Sequence, residues 1–546
     1  MQPTLSDVFG AVARAVPDRE CLVHGAVRRS YAEVLDRTER LGRLLASRGL
    51  GAHRERAELD PCASGQDHLA LYLHNCPEYL EGLLGALAAR VAPFNVNYRY
   101  TATELRQLFG DARPAVVVYH AAFAPVLAEV VADLPEPVLL LQVADGSGGP
   151  LLPGALDFEA ALASAPADQP LPAASPDDLY LLYTGGTTGM PKGTMWRNGD
   201  FLHNLSGILY PPGASPEGAA AAVAAARGPR FLGTAPFMHG TGCVGALRSL
   251  FHGGMVAIPD VPHRLDVADV CRLIERERID TASFVGEAFC RPIADELERG
   301  GHDVSSLRSA LLSGGATQPT TLARLGALMP GARFADGLGA SETMQLIRTD
   351  VEPGAPREAG VFSPLARACV VDESRTRLLK PGEESDGWLA AAEPLPLGYL
   401  GDPVKSAETF PTVEGQRLCV PGDRVRLLAD GRIALRGRDS MTINSGGEKI
   451  FAEEVERAVF SHPAVVDVLV VGRPSERWGQ EVTAMVRLAA DLPAPSDEEL
   501  REHAAGHIAR YKLPKAFLRV PEVRRNAMGK PDYAWARALA AESVPL

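Results

Sequence analysis

The chain has 546 residues and a net charge of −13, and 23% of its residues are charged while 46% are hydrophobic. This length suffices for roughly two to four structural units, and the composition is typical of a globular protein. The negative charge argues against nucleic acid as a standing partner, because a phosphate backbone attracts a basic surface.

The eight cysteines are scattered along the chain, without a Cys-x-x-Cys pair. This pattern favours reduced thiols over a zinc site or a disulfide framework. The N-terminus carries Asp7, Asp18 and Glu20 and lacks the basic flank and apolar core of a signal peptide. The longest run of small apolar residues, 219–226, is too short to span a membrane. We therefore expect a cytoplasmic protein with no transmembrane segment.

The first third of the chain alternates between strand and helix patterns. Ser30, followed by Glu33, is typical of a capping box and predicts a helix to about residue 48. Apolar runs predict strands over 69–73 and 116–119, and Pro77 begins a predicted helix between them. This alternation predicts an α/β architecture with parallel strands.

Two stretches differ in composition from the segments around them. Residues 146–176 and 211–230 are rich in glycine, proline and alanine. We predict surface excursions at both places, the second of them mobile, and neither suggests catalysis.

A domain boundary is predicted near residues 436–440. Before it, residues 424–435 read as a hairpin that turns at Asp430-Gly431. After it, the predicted elements are a helix over 452–460, strands over 465–471 and 482–488, and a helix from 497. We therefore predict a large N-terminal domain, residues 1–437, and a small one, residues 438–546, of a usual domain size.

Residues 180–193 read Tyr-Leu-Leu-Tyr-Thr-Gly-Gly-Thr-Thr-Gly-Met-Pro-Lys-Gly. An apolar strand runs into a loop whose glycine N–H groups, threonine hydroxyls and Lys192 suit a polyphosphate. The common mononucleotide loop is excluded, because Pro191 and Gly193 flank the lysine. The alternative is a surface turn rich in glycine and threonine.

This string resembles the phosphate-binding signature of the adenylate-forming superfamily, which includes acyl-CoA synthetases, aryl-CoA ligases, nonribosomal adenylation domains and luciferases. The resemblance to the acyl-CoA synthetase branch extends to residues 71–80, 95–100 and 236–242 and to several later blocks. It implies the adenylate-forming enzyme fold, with a large N-terminal domain of several subdomains and a small, mobile α+β C-terminal domain.

The resemblance also assigns roles to individual residues. The implied ATP and AMP contacts are Thr184, Gly185, Gly186, Thr187, Thr188, Gly189, Gly314, Gly315, Ala316, Asp336, Gly337, Leu338, Ser341, Asp423 and Arg438. The implied catalytic residues are Lys530, Glu342 and Lys192, with Glu342 as the Mg²⁺ ligand. His239, Gly240 and Gly339 would line the acyl pocket, Gly446 and Gly447 would contact coenzyme A, and Ser440 would be the hinge.

Three features depart from the commonest family pattern. Leu338 replaces an aromatic residue, so adenine would meet an aliphatic face. Residues 386–393 lack the usual arginine, and Ser440 stands where lysine or aspartate is frequent. The variant hinge resembles the actinobacterial branch that handles bulky or steroid-derived acids.

The implied reaction uses ATP, Mg²⁺ and coenzyme A to convert a carboxylic acid, fatty or bulky and apolar, into its coenzyme A thioester. An enzyme that loads a carrier protein in trans, a luciferase-like oxygenase and a non-catalytic nucleotide-binding protein remain alternatives, and a homodimer is left open. The pair His503 and His507 could suggest zinc, but the His-Glu-x-x-His pattern is absent and a solvated helix face is favoured.

Overall fold

The computed structural model describes residues 2–134, 137–184, 191–206, 215–313, 317–352, 360–438, 441–445, 448–475, 479–490, 492–508, 510–525 and 531–543. Its α-helices are α1 (Leu5–Ala15), α2 (Tyr31–Ser47), α3 (Pro77–Ala88), α4 (Ala102–Ala112), α5 (Ala124–Val131), α6 (Phe158–Ala163), α7 (Asn198–Ser206), α8 (Pro216–Ala225), α9 (Gly240–Phe251), α10 (Val267–Glu277), α11 (Gly286–Arg299), α12 (Pro319–Leu328), α13 (Pro403–Thr409), α14 (Ala452–Phe460), α15 (Asp497–Ala505) and α16 (Tyr533–Glu542).

The strands are β1 (Glu20–His24), β2 (Val27–Ser30), β3 (His68–Tyr72), β4 (Ala92–Asn95), β5 (Pro114–His120), β6 (Leu139–Val143), β7 (Leu156–Asp157), β8 (Leu179–Thr184), β9 (Lys192–Arg197), β10 (Arg230–Leu232), β11 (Met255–Ile258), β12 (Thr281–Val285), β13 (Ser309–Ser313), β14 (Arg333–Ala340), β15 (Met344–Val351), β16 (Val361–Pro364), β17 (Ala368–Asp372), β18 (Ser385–Ala391), β19 (Thr412–Val413), β20 (Gln416–Arg417), β21 (Asp423–Leu427), β22 (Ile433–Arg438), β23 (Thr442–Ser445), β24 (Glu448–Phe451), β25 (Val465–Ser475), β26 (Gly479–Leu488) and β27 (Ala516–Arg519).

Helix α2 begins at the predicted cap. The Glu33 N–H donates to the Ser30 hydroxyl, and the Ser30 N–H donates to the Glu33 carboxylate. These bonds satisfy N–H groups that the first turn of a helix leaves without partners. The prediction of this helix is therefore confirmed.

A seven-stranded sheet contains the predicted early strands. Its order is β7-β6-β5-β3-β4-β8-β9, and every pair is parallel except β8–β9, which is antiparallel. Strands β3 and β5 correspond to the predicted strands at 69–73 and 116–119. Helix α3 joins β3 to the parallel β4, as expected of an α/β unit.

A thirteen-stranded sheet follows, in the order β17-β18-β21-β22-β16-β15-β14-β13-β12-β10-β11-β1-β2. The strands from β14 to β1 are parallel, and the β14–β15 pair begins the antiparallel part. The predicted hairpin over 424–435 forms strands β21 and β22. The carboxyl ends of β12, β13 and β14 therefore lie side by side, where open α/β sheets place ligands.

The C-terminal unit comprises β23–β27 and α14–α16. Its five-stranded sheet and helices enclose one apolar cluster, which extends in sequence from Met441 to Ala540. The predicted helix over 452–460 and the strands that begin at 465 and 479 are present. The predicted α/β fold, large N-terminal part and smaller C-terminal part are confirmed. The boundary between 437 and 438 falls at the last residue of β22 and stays a prediction.

Two predicted excursions contain regular structure, so that prediction is wrong in part. Residues 158–163 form α6, and residues 216–225 form α8, where Ser215 caps the helix by accepting from the Gly218 N–H. Alanine has the highest helix propensity, which outweighs the flanking glycines and prolines. Ala219 and Val223 are buried in the apolar cluster that includes α1, so α8 is packed rather than mobile. Across the described ranges, no helix has the length and apolarity that a membrane span needs.

Candidate active site

A large cavity of about 2290 Å³ lies at the carboxyl edge of the thirteen-stranded sheet. The ends of β12, β13 and β14 line it, together with one face of α9 and residues of α14 from the C-terminal unit. Several side chains that the sequence assigned to nucleotide and acyl binding meet here. They are Lys192, His239, Asp336, Leu338, Ser341, Glu342 and Asp423.

Lys192 is the first residue of β9 and pairs with Thr184 across the β8–β9 ladder. Its Nζ donates to Asp402 Oδ2 at 2.8 Å and lies 5.4 Å from the centroid of the Tyr399 ring. The hydrogen bond from Lys192 holds the pKa of the Asp402 carboxyl below its ordinary value. Lys192 thus enters the cavity as an ammonium paired with one carboxylate.

Glu342 lies in the connection between β14 and β15. The Tyr399 hydroxyl donates to Glu342 Oε1 at 2.7 Å. Burial and the nearby Glu342 charge raise the pKa of Tyr399, so the phenol keeps its proton and remains a donor. The Thr343 hydroxyl accepts from the Ala340 N–H at 3.1 Å, a hydrogen bond within the β14–β15 connection. The carboxylate is therefore held in a defined place at the cavity wall.

The environment of Glu342 fits Mg²⁺. Within the described ranges Glu342 has no ion-pair partner, and no group of three His, Cys, Asp or Glu side chains could hold a metal by itself. Mg²⁺ is commonly bound through one or two carboxylates, with substrate phosphates and water supplying the other oxygens. A lone, oriented carboxylate beside the predicted phosphate-binding residues is that kind of donor set.

Strand β14 brings its backbone close to β15 at two glycines. A Cβ on Gly339 would collide with the Met344 carbonyl oxygen, and one on Gly337 would collide with the Gln345 amide. The ladder shifts register between Leu338 and Gly339, as in a β-bulge. Gly339 is therefore required by the strand pairing itself, whereas at Gly337 the neighbouring group is the side-chain amide of Gln345.

Leu338 and Ser341 flank that bulge. Leu338 is half-buried and packs against an apolar cluster behind the strand, while also lining the cavity. The Ser341 carbonyl accepts from Trp196 Nε1 at 2.8 Å, which ties the β14–β15 connection to β9. Strand β15 begins soon after Ser341, at Met344.

Asp423 begins β21 and is 3% exposed. Its backbone lies opposite Arg438, the last residue of β22, so the two positions assigned to ribose are neighbours. The side chain of Arg438 lies outside the described part. A buried carboxylate at the cavity wall suits acceptance of two hydroxyl hydrogens.

Two buried asparagines hold the segment that leads to His239. Asn75 Nδ2 donates to the carbonyls of Gly233 and Ala235, both at 2.9 Å. Asn95 Nδ2 donates to the Met238 carbonyl at 2.7 Å and to the Tyr183 carbonyl at 2.8 Å. Asn95 therefore joins the end of β8 to the residue before His239.

His239 is the residue before α9, and Gly240 begins that helix. Both line the cavity, and a Cβ on Gly240 would meet nothing within 4 Å. The structure therefore places the predicted acyl residues at the amino end of α9, with Gly339 across the cavity.

Several predicted site residues lie outside the described residues, and their roles stay predictions. They are Gly185, Gly186, Thr187, Thr188, Gly189, Gly314, Gly315, Ala316, Ser440, Gly446, Gly447 and Lys530. The Thr184 side chain is likewise not described, although its backbone ends β8.

The residues on either side of Lys530's segment do reach the cavity. Arg525 and Pro531 form a β-bridge, and both line the cavity with Tyr533. Arg525 Nε donates to Asp467 Oδ2 at 2.8 Å, which anchors this bridge to β25. The described residues on both sides of 526–530 thus lie at the cavity wall.

Sequence reasoning missed the roles of Tyr399 and Asp402. Neither residue was singled out from the sequence. Lys192 and Asp402 are 210 positions apart, and no spacing rule connects them. An aspartate before Pro403 signals a helix cap, which Asp402 also provides by accepting from the Lys405 N–H.

His503 of α15 and His507, which follows that helix, do not form a metal site with a third ligand within the described residues. His503 Nε2 shares a hydrogen with the Ser461 hydroxyl at 2.9 Å, and the rings of His503 and His507 are 5.2 Å apart. All eight cysteines are free thiols.

The family model described as AMP-binding enzyme matches residues 9–399, and the model described as AMP-binding enzyme C-terminal domain matches residues 454–530. The chain belongs to the AMP-binding enzyme family. The predicted resemblance to adenylate-forming enzymes is thereby confirmed.

Curated relatives of this AMP-binding enzyme span its whole length. It is 47% identical to "Medium-chain acyl-CoA ligase Mig" of Mycobacterium avium, over 98% of this chain and 98% of that protein. It is 33% identical to the "3-oxocholest-4-en-26-oate--CoA ligase" of Rhodococcus rhodochrous, over 98% of this chain and 96% of that protein.

Solved structures share the fold. The anthranilate CoA ligase AuaEII in complex with anthranoyl-AMP matches with a TM-score of 0.80 at 19% identity, covering 99% of this chain and 98% of that one. A Mycobacterium tuberculosis fatty acyl CoA synthetase matches with a TM-score of 0.71 at 23% identity, covering 99% of both chains.

Proposed function

We propose that this AMP-binding enzyme is an ATP-dependent acid–thiol ligase that converts a carboxylic acid into its coenzyme A thioester, releasing pyrophosphate and AMP. The observation that carries the proposal is the meeting of Lys192, Glu342 and Asp423 with His239 in one cavity. These side chains would supply a cation for phosphates, a carboxylate for Mg²⁺, a carboxylate for ribose and an adjoining acyl pocket.

In the first half-reaction the substrate carboxylate attacks the α-phosphorus of ATP, pyrophosphate leaves, and an acyl-adenylate forms. Two anions must approach each other, so catalysis depends on positive charge placed around the phosphates. We assign this charge to Lys192, on the departing pyrophosphate, and to Lys530, on the reacting centre. Mg²⁺ at Glu342 would neutralise phosphate charge, and Tyr399 would keep that carboxylate aimed into the site.

In the second half-reaction the coenzyme A thiol attacks the acyl carbon, and AMP leaves. We propose that the C-terminal unit turns about Ser440 between the two steps, removing Lys530 and presenting Gly446 and Gly447 to the pantetheine arm. Glycines leave room for a narrow passage. The division at 437/438 belongs to this proposal.

For the acid itself we propose a medium-chain, long-chain or bulky apolar acid. The 47% identical relative is named a medium-chain acyl-CoA ligase, and several relatives at 34% identity are named for fatty acids and for 3-oxocholest-4-en-26-oate. Thr241, Val244 and Gly245 of α9 provide a largely apolar wall beside His239. Such a wall suits hydrocarbon.

Two alternatives make different predictions. An enzyme that loads a carrier protein in trans would form no thioester with free coenzyme A. A non-catalytic nucleotide-binding protein would show no acid-dependent exchange of pyrophosphate into ATP.

The free thiols favour a reducing compartment, and we propose the cytoplasm. A homodimer would be recognised by its mass in solution.

The test combines a pyrophosphate-exchange screen over fatty, aryl and steroidal acids with mass detection of coenzyme A esters. The proposal expects exchange that depends on the acid and on Mg²⁺, and a thioester with free coenzyme A. Exchange without a thioester would favour a carrier protein as acceptor. An absence of exchange with every acid would overturn the proposal.

A further inference from the structure

One face of α9 forms a wall of the cavity beyond His239. The residues on this face are Thr241, Val244, Gly245 and Arg248, at the three- and four-residue spacing of a single helix face. Arg248 is exposed, whereas its neighbours Leu247 and Ser249 are buried. Arg248 itself lines the cavity, so an arginine follows small and largely apolar residues along this wall.

Arg248 has more hydrogen-bond donors than partners. Its Nε donates to the Leu205 carbonyl at 3.1 Å. Within the described ranges its terminal nitrogens have no hydrogen-bond partner, and no carboxylate lies within ion-pair distance. A guanidinium has five N–H donors, so those on the terminal nitrogens are available to a ligand.

The pKa of Arg248 is consistent with terminal nitrogens that lack a partner among the described residues. Although the Arg248 side chain is exposed, surrounding protein atoms displace part of the water around its guanidinium, which lowers its pKa, and the positive charge of Arg348 lowers the pKa further. Both effects disfavour a cation without an anion beside it. His203, from the adjoining α7, lines the same part of the wall and is a second possible donor.

The position of Arg248 along α9 sets its distance from Gly240. Arg248 is eight residues beyond Gly240, or roughly 12 Å along the helix axis at 1.5 Å per residue. The side chain of a helical residue leans toward the amino end, which shortens the reach somewhat. Along α9 the cavity wall therefore leads from His239, past apolar residues, to the cationic Arg248.

We propose that Arg248 is a specificity-determining residue that binds an oxygen acceptor at the end of the acid opposite the reacting carboxylate. This inference rests on the proposed ligase function. The substrate class is an extended or polycyclic apolar acid that carries a ketone or a second carboxylate at its far end. An arginine that only joined α9 to α7 would use Nε alone and would be indifferent to the substrate.

The experiment compares three acids of equal chain length: an unsubstituted acid, the same acid with a ketone near its far end, and the dicarboxylic acid. Coenzyme A ester formation is measured as kcat/KM for the wild type, Arg248→Met and Arg248→Lys. Arg264→Met is the control, because Arg264 lies outside the cavity and is paired only with Asp266 at 3.5 Å among the described ion pairs.

We expect the wild type to prefer at least one oxygen-bearing acid by roughly 10- to 100-fold, the range for one hydrogen bond to a charged group. Arg248→Met should remove that preference, Arg248→Lys should keep part of it, and Arg264→Met should leave it unchanged. A preference for the dicarboxylic acid alone would identify the acceptor as a carboxylate, and a preference for the keto acid would identify a carbonyl.

An unchanged preference in Arg248→Met would overturn the proposal, as would a wild type that does not discriminate among the acids. If the methionine variant does not fold, Arg248→Gln, which keeps an N–H donor but no charge, replaces it and is expected to lose the same preference. Failure of the ligase function has a different result, because no coenzyme A ester would form from any acid.

Discussion

The Tyr399 hydroxyl donates a 2.7 Å hydrogen bond to the Glu342 carboxylate, and so joins the strand connection that bears the proposed Mg²⁺ ligand to a separate loop. Tyr399→Phe removes this bond and little else, because the ring remains. We expect kcat for pyrophosphate exchange to fall roughly tenfold and the Mg²⁺ requirement to rise, since a bond to a charged group is lost.

The matched control is Tyr119→Phe. Tyr119 also donates one buried bond, at 2.9 Å to Gln142, but it lies outside the cavity. It should lower stability without changing the Mg²⁺ dependence. Equal effects of both variants on Mg²⁺ dependence would contradict a positioning role for Tyr399.

We expect the ion pair of Lys192 with Asp402 to weaken phosphate binding, because the aspartate offsets part of the positive charge of the lysine. Asp402→Asn keeps an N-cap for α13 and removes one negative charge beside the ammonium. We expect affinity for pyrophosphate to rise about fivefold at low salt, the effect of one unit charge at about 4 Å in a water-like dielectric. Isothermal titration at two ionic strengths measures this. A lower affinity in Asp402→Asn would mean that the aspartate orients the lysine instead.

Lys530→Ala should separate the two half-reactions. Loss of a charge that stabilises the transition state typically costs roughly 10²- to 10³-fold. We expect a loss of that order in acid-dependent pyrophosphate exchange, with thioester formation from supplied acyl-adenylate largely retained. Lys380→Ala, at an exposed position, is the control. An equal loss in both half-reactions would remove Lys530 from its assigned role.

Asn95 connects the segments that carry the proposed nucleotide and acyl sites. Its amide donates to the carbonyls of Tyr183 and Met238, and it accepts from the Tyr183 N–H at 2.8 Å. Asn95→Ala leaves buried polar groups without partners, at about 1–3 kcal/mol each. We expect lower stability and higher KM for both ATP and the acid, measured at a temperature where the variant is folded. Asn97→Ala, at a less buried position of the same segment, should raise neither KM.

Glu456 should make stability dependent on pH. Burial and the neighbouring Glu453 raise the pKa of Glu456 to about 8, although the charges of Arg525 and Arg457 act in the opposite direction. The ordinary value lies near 4.5, so between the two values the folded protein holds a proton that the unfolded chain has lost. Stability therefore falls as pH rises from about 5 to 8, by at most about 1.4 kcal/mol per unit.

The variant Glu456→Gln has no such proton to lose. Its amide oxygen can still accept from the Val470 N–H, as Glu456 does at 2.9 Å. We expect urea unfolding of the variant to show a smaller loss of stability between pH 5.5 and 8.5 than the wild type. Glu498→Gln, at an exposed side chain, should leave the slope unchanged.

Local rules predicted much of the fold. The capping box at Ser30, the hairpin turn at Asp430-Gly431 and the helix over 452–460 depend on residues close in sequence, and all three are present. Helix α8 was missed because its glycine and proline flanks were given more weight than its alanines. Its burial against α1 depends on a distant contact that composition does not reveal.

Site residues could be predicted from the sequence where a residue type within a motif has one characteristic chemical role. Lys192, Glu342 and Asp423 could be named from their motifs, and the structure brings all three to one cavity. Tyr399 and Asp402 could not, because their partners are chosen by the packing of distant segments. Arg248 lies on an ordinary amphipathic helix, and only the cavity beside it distinguishes it from a surface arginine.

Individually weak hydrogen bonds join the C-terminal unit to the N-terminal part of the chain. Gln318 Nε2 donates to the Val465 carbonyl at 2.8 Å and to the Phe460 carbonyl at 3.2 Å, and Arg457 donates to the Leu435 carbonyl at 3.0 Å. Water can replace a donor at each of these carbonyls, so each bond contributes only about 1 kcal/mol. If the C-terminal unit turns about Ser440 as proposed, these bonds would break and re-form in each catalytic cycle at a small cost in free energy.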